Sequence, residues 1–193
     1  MRAGFSLPSF SAPLDLDAEI AKCPSSATVK GMFIDAVQKR IRALNATPQF
    51  DARVVPFNDY STVHQMRLLA QWARLAHRIL PPREGLRRVG WSAYEDLTNS
   101  LAGRVLFGVL GRDIVAITKL ASKAYAIAGS PQRATVVELA DKQAIVRLED
   151  IHLFIDSYQI GVMEGVLRLC RLEGSVLTKR LSETSCEMCV EWR

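Results

Sequence analysis

The chain has 193 residues and a mass of 21.4 kDa, with 49% hydrophobic and 23% charged residues, enough for one ordinary globular core and too few for several. A mean hydropathy of +0.07 is not the composition of a disordered chain, and no apolar run approaches the ~20 residues of a membrane helix, so membrane insertion is not expected. The net charge of +5 admits an anionic partner but falls well below the basic density of a dedicated nucleic-acid binder, so none is expected.

Residues 1–26 contain Pro8, Pro13 and Pro24 and show no stable period, so they read as an N-terminal arm, extended or pinned to a body formed by residues 27–193. No apolar stretch of signal-peptide length occurs there, and the cysteines Cys23, Cys170, Cys186 and Cys189 are too few for a disulfide scaffold. Export is therefore not expected, and reduced thiols in a cytoplasmic protein are the simpler reading.

From Ala27 to Leu44, Val29, Met32, Phe33, Val37, Ile41 and Leu44 recur at three- and four-residue steps and predict a helix. Residues 45–60 then read as a connector. Ser61 is a plausible N-cap for a helix running to Leu80, where Pro81 and Pro82 stop it. At ~100° per residue, Leu68, Trp72, Leu75, Ala76 and Ile79 share its inner side, opposite Arg67, Arg74 and Arg78. Helices are further expected at about 92–110, with Tyr94, Leu97, Leu101 and Val105 inward, and at about 113–128, ending on Gly129 at the C′ position.

After Gly129 the period changes to strand. Ala134–Ala140 and Ala144–Leu148 flank an Asp141-Lys142-Gln143 turn, and Ser175–Leu181 and Cys186–Trp192 flank a second turn at 182–184. Between them, Asp156 and Gln159 suggest a capping box opening a helix to about Leu172 that ends at Glu173-Gly174. Gly161 and Gly165 leave a smooth strip along that helix, a candidate surface for dimerisation. The predicted architecture is α+β: four helices, a hairpin, a helix and a hairpin, with a helical layer packed on a four-stranded antiparallel sheet.

Candidate chemistry is sparse. Cys186-Glu-Met-Cys189 has a metal-like spacing, but strand alternation sends the two thiols to opposite faces, so structural cysteine is favoured and no metal site is expected. His64, His77 and His152 share no zinc motif, and no nucleophile elbow or phosphate loop is present. His77, at the edge between the apolar and arginine faces of its helix, is the histidine best placed to line a pocket. Residues 51–112 carry 9 basic and 5 acidic groups, which localises the charge surplus. Arg67, Arg74, Arg78, Arg83, Arg87 and Arg88 form a face able to grip carboxylates or phosphates, although a solvated helix face is the commoner explanation. Tyr94, Tyr125 and Tyr158 carry hydroxyls that need partners if buried, which makes them better pocket candidates than the surrounding hydrocarbons.

Several stretches together carry a family resemblance: Ala27-Thr-Val-Lys-Gly-Met-Phe33, Arg88-Val-Gly-Trp91, Gly103-Arg-Val-Leu-Phe-Gly-Val-Leu-Gly-Arg112, and Gly161-Val-Met-Glu-Gly-Val-Leu-Arg-Leu-Cys170 leading to Val190-Glu-Trp192. In order and spacing they resemble a myxobacterial paralogous domain family of unknown function, related in shape to 4-vinyl reductase domains, transport-protein-particle subunits and heme nitric-oxide-binding domains. The resemblance implies helices over a four-stranded antiparallel sheet with a potential internal cavity, and no catalytic residue. Heme-binding relatives place an axial histidine on a helix before the sheet and a Tyr-x-Ser-x-Arg motif against the propionates. Residues Leu101–Ala128 contain no histidine and the chain lacks that motif, so no heme or other cofactor is expected.

The expected function is a non-catalytic binding or adaptor protein that captures a small molecule or peptide and presents it to a partner protein. Its candidate ligand-binding residues are Arg74, His77, Arg78, Tyr94, Arg104, Tyr125 and Tyr158. The alternative is a sensory or regulatory domain whose ligand controls homodimer formation. An enzyme built on Cys170, Cys186, Cys189 or His77 is the least favoured reading.

Overall fold

A computed structural model describes residues 3–99 and 111–193. Its first helix lies inside the expected arm. In α1 (Leu16–Ala21), the Asp15 carboxylate accepts from the backbone amides of Asp17 and Ala18, while Leu16 and Ile20 are buried. Upstream, Phe5 packs with Ile145, Leu177 and Cys189, and Ser6 pairs with Thr178, so the arm is pinned at two places. A helix this short, bracketed by Pro13 and Pro24, has too few turns to establish a period.

The helix expected from Ala27 begins at Gly31 instead. Thr28 and Val29, whose branched side chains favour extended backbone, form β1 (Thr28–Lys30), followed by α2 (Gly31–Ala43). The Gln38 amide in α2 donates to the Phe50 and Ala52 carbonyls and fastens the connector, which ends in β2 (Asp59–Ser61). Ser61 caps α3 (Thr62–Ala76) as expected, its hydroxyl accepting from the Val63 amide. That helix stops before Leu80, and its buried side is turned towards Met66, Leu69, Ala70 and Ala73, because α2 packs on it from one side and a further helix from the other. Ala76 is exposed, and Ile79, beyond the helix end, is 95% exposed.

That further helix, α4 (Pro82–Gly90), is absent from the sequence reading. Pro81-Pro82 ends one helix and opens the next, since proline in the first turn forfeits no helical hydrogen bond. Next comes α5 (Ala93–Asn99), the start of the helix expected over 92–110; the remainder, with Gly103, Arg104 and Gly108, lies outside the described residues. The helix expected over 113–128 is broken at Leu120 into α6 (Ile114–Lys119), capped by Asp113, and α7 (Ala121–Ala128). Gly129 is not a left-handed C′ residue. Its φ of 171° is extended backbone, and it opens β3 (Gly129–Ser130), so close to β1 that a Cβ would lie 2.1 Å from the Thr28 carbonyl oxygen.

The C-terminal half follows the expectation closely: β4 (Arg133–Ala140), β5 (Gln143–Glu149), α8 (Tyr158–Cys170), β6 (Gly174–Arg180) and β7 (Cys186–Trp192). The hairpins join into a four-stranded antiparallel sheet of order β4-β5-β7-β6, and β2-β1-β3 form a second, three-stranded sheet that the sequence did not reveal. Strand alternation puts Cys186, Met188 and Val190 in the main core and Cys189 in the small cluster with Phe5, so the CxxC pair is split across the sheet. The capping box does not form. Asp156 pairs with Arg83, the Gln159 side chain turns to Tyr125, and Ser157 precedes α8 without a side-chain cap. That helix ends on Arg171, left-handed at φ 59°, rather than on Gly174. No described helix is long and apolar enough to cross a membrane.

Candidate functional site

Two neighbouring faces of α8 meet different surroundings. On one, Gly161 and Gly165 let the backbone of α4 come into direct contact: a Cβ on Gly161 would lie 1.9 Å from the Arg87 carbonyl oxygen, and one on Gly165 2.7 Å from that of Trp91. The glycine strip is therefore used inside the chain, and the expectation that it serves as a dimer surface is withdrawn. Glu164 lies along the same seam. Its carboxylate accepts from Arg87 Nε at 2.7 Å and Nη2 at 2.8 Å, and from Trp91 Nε1 at 2.7 Å. Glu84 takes the remaining Arg87 fork at 2.9 Å and Arg88 Nε at 2.8 Å. Burial pushes the Glu84 carboxyl up, but the hydrogen bonds and charges of Arg87 and Arg88 outweigh it and hold the group below its usual value.

On the other face, Tyr158, Gln159 and Val162 line a cavity of about 90 Å³. Tyr94 of α5, Tyr125 of α7, Gln65 of α3 and Gln132, whose amide donates to the Tyr125 carbonyl, add to its polar lining, and Val29, Phe33 and Leu153 supply much of the apolar remainder. All three tyrosines proposed from the sequence thus converge on one space, from three separate helices. Burial pushes the Tyr94 hydroxyl up to about 12 and that of Tyr125 well above its ordinary value, so both are neutral hydroxyls at physiological pH. The Tyr125 hydroxyl donates to Gln159 Oε1 at 2.7 Å.

Gln65 is the unbalanced member. It is 2% exposed, and its side-chain oxygen has no hydrogen-bond partner among the described residues. A buried acceptor left unpaired costs ~1–3 kcal/mol, so a donor that reaches this oxygen from the cavity gains by pairing with it. From the sequence, Gln65 carried no assignment and Gln159 was assigned only to a capping box. The available signal was a glutamine on the inward stripe of an amphipathic helix, but choosing it required knowing which stripe faces inward, and that of α3 is rotated from the expected one.

The remaining proposed residues do not join the cavity. Arg74 and Arg78 are exposed, His77 ends α3 with its ring away from the cavity lining, and Arg104 lies outside the described residues. The arginine face is also less available than its sequence suggests: Arg83 is paired with Asp156, Arg87 with Glu84 and Glu164, and Arg88 with Glu84. The Cys186 thiol is pushed up to about 12 by burial, and burial lowers the pKa of His64, His77 and His152. No group of described side chains is arranged to hold a metal ion.

Residues 22–193 match a family described as "Protein of unknown function (DUF2378)". No curated protein matches the chain. Among solved structures, the chain is similar to an oxygen-binding H-NOX domain related to soluble guanylate cyclases, at 15% identity and TM-score 0.61, covering 84% of this chain and 92% of that one. It is likewise similar to an H-NOX protein from S. oneidensis in its Fe(II)NO state, at 11% identity and TM-score 0.64, covering 85% and 99%. A third similar structure is an Fe(II) unliganded H-NOX protein from K. algicida, at 10% identity and TM-score 0.59, covering 85% and 96%. At these identities the likeness establishes the fold. The described residues do not fit a heme. No histidine lines the cavity, His64 being stacked on Phe50 with ring centroids 4.0 Å apart. The cavity volume of about 90 Å³ is also below the ~150 Å³ that accommodates benzene, let alone a porphyrin.

Proposed function

The chain belongs to this family of proteins of unknown function, DUF2378, and because membership assigns no activity, we propose from the cavity that it is a non-catalytic small-molecule-binding domain of the sensory kind. The carrying observation is the Gln65 oxygen, unpaired among the described residues, in the wall of a cavity lined by uncharged tyrosine, glutamine and apolar side chains. Its ligand is small, neutral and largely apolar, and carries one O–H or N–H group that donates to Gln65. Neutrality follows from the walls: Tyr94 and Tyr125 are uncharged, and among the described residues no charged side chain lines the space. At about 90 Å³ the space suits a molecule of a few heavy atoms, so a small molecule rather than a peptide is the proposed ligand.

Binding joins α3, α5, α7 and α8 through one occupant, and α8 is locked by its glycines to α4. Ligand occupancy therefore tightens the helical layer as a unit, a change that a partner protein can read on the outer surface. The likeness in fold to H-NOX domains, one of them described as oxygen binding, supports such a ligand-holding role. The dispersed Cys186, Cys189 and His77 support a role without turnover, and the thiol cysteines fit a cytoplasmic setting.

Xenon and short alcohols are suitable probes, xenon for the void and ethanol or propanol for the void plus a donor. Methyl NMR of Val29, Leu153 and Val162 should show saturable shifts with both, and Gln65→Leu should weaken the alcohols while sparing xenon. Absence of saturable shifts with either probe overturns the proposal.

A further inference from the structure

Beyond the seam, a separate cleft of about 380 Å³ opens where α4, α5 and the end of α8 meet the turn before α6. It shares no lining residue with the tyrosine cavity. Three stretches distant in sequence bring arginines to it: Arg88 at the end of α4, Arg112 ahead of α6, and Arg168 with Arg171 at the end of α8. The Trp91 ring forms part of the wall, pinned by its Nε1 bond to Glu164, with the Arg168 guanidinium carbon 3.8 Å from its ring centroid and that of Arg88 at 5.0 Å. Trp91 thereby orients one guanidinium at the cleft through a cation–π contact.

Among the described residues the charges do not balance locally. Arg88 is taken by Glu84, but Arg112, Arg168 and Arg171 have no carboxylate partner among the described residues. Glu95, the acid in the lining, is turned to Arg40 at 3.5 Å, and Asp113, next to Arg112, is engaged as the cap of α6. The negative end of the α8 dipole accounts for basic residues at positions 168 and 171. It does not account for Arg112, which arrives from another element.

We infer that this cleft binds a phosphate-bearing small molecule, with a diphosphate as the recognised group. A carboxylate offers two oxygens in one plane and is saturated by a single bidentate guanidinium. Three guanidinium groups without a carboxylate partner among the described residues match the larger number of oxygens, and the greater charge, of linked phosphates. The cleft is concave and its volume falls in the ~300–1,000 Å³ range of small-molecule sites, which favours a small ligand over a flat macromolecular surface.

Inorganic pyrophosphate titrated calorimetrically into the full chain at low ionic strength tests this, with citrate as the polycarboxylate comparison. Pyrophosphate should bind saturably and more tightly than citrate, and added salt should weaken it. Arg112→Gln and Arg168→Gln should each weaken it about tenfold, as expected for loss of a charge-assisted hydrogen bond. Arg168→Lys should recover only part of the loss, because it restores charge without the fork. Arg74→Gln, on the exposed side of α3, should leave binding unchanged. No saturable binding at millimolar pyrophosphate, tighter binding of citrate, or an equal effect of Arg74→Gln each overturns the inference. Arg112 is exposed and outside any helix, so its substitution remains informative if an α8 variant folds poorly.

Discussion

Along α8, the seam with α4 and the tyrosine cavity are built from neighbouring residues, yet they are opposites in hydrogen bonding. At the seam, Glu164 satisfies Arg87 and Trp91 together, and Glu84 closes the remaining fork. At the cavity, Tyr125 and Gln159 satisfy each other while the Gln65 oxygen is left over. A satisfied polar network fixes geometry, whereas an unsatisfied buried group has a vacancy that another molecule can fill. The seam therefore serves as the rigid wall and the cavity as the site.

The sharpest way to break this contrast is to force the wall open. Gly161→Ala places a Cβ against the Arg87 carbonyl oxygen, which is backbone and cannot rotate away. The expected loss is about 3 kcal/mol or more, at or above the top of the usual overpacking range, seen as a large drop in Tm or failure to fold. A well-folded Gly161→Ala protein of unchanged Tm would show that α4 is not held as tightly as described. Glu164→Ala should come next, at ~2–3 kcal/mol, because it leaves the Trp91 Nε1–H half-buried without its acceptor and Arg87 with Glu84 alone. Chemical denaturation of the two variants measures both losses.

The contrast was only half legible in the sequence. The strands were readable because β-branched-rich runs flank the short turns at 141–143 and 182–184, α8 because an apolar face recurs at helical spacing, and three tyrosine hydroxyls that need partners if buried pointed to the cavity before any contact was known. The short pieces were not. β1 hid inside a helical period, α4 followed a Pro-Pro pair that reads as a stop, and β3 depends on β1, an alignment that exists only in three dimensions. Asp156 and Gln159 had the spacing of a capping box, but tertiary partners, Arg83 and Tyr125, outcompeted the local bonds. The six-arginine face looked more open than it is because the partners of Arg83 and Arg87, Asp156 and Glu164, lie just ahead of α8 and in it.

Within the cavity, two substitutions should move stability in opposite directions. Tyr125→Phe removes the donor to Gln159 and leaves a buried acceptor unpaired, for a loss of ~1–2 kcal/mol. Gln65→Leu removes an acceptor that is already unpaired and should raise stability by about 1 kcal/mol while weakening alcohol binding. Stabilisation with loss of binding marks a functional vacancy. If Gln65→Leu is instead destabilising by as much as Tyr125→Phe, the Gln65 oxygen is as well satisfied as the seam and the contrast between the two faces disappears.

The smallest effect separates the two regions by pH. Glu84 is held below the ordinary carboxylate value of 4.5 in the folded state, so its stabilisation is fully present above that value and is lost as pH falls through the depressed one. Tyr94 behaves in the reverse sense: its folded value is about 12 against an ordinary 10.0, so its contribution is intact below 10.0 and is lost as pH rises towards 12. Acid should therefore weaken the seam and alkali the cavity. Glu84→Gln should flatten the acid limb of a Tm-versus-pH profile without changing the alkaline limb, and Tyr94→Phe should do the converse. If either substitution flattens both limbs equally, the seam and the cavity titrate as one cooperative unit, and α8 does not keep its two faces energetically separate.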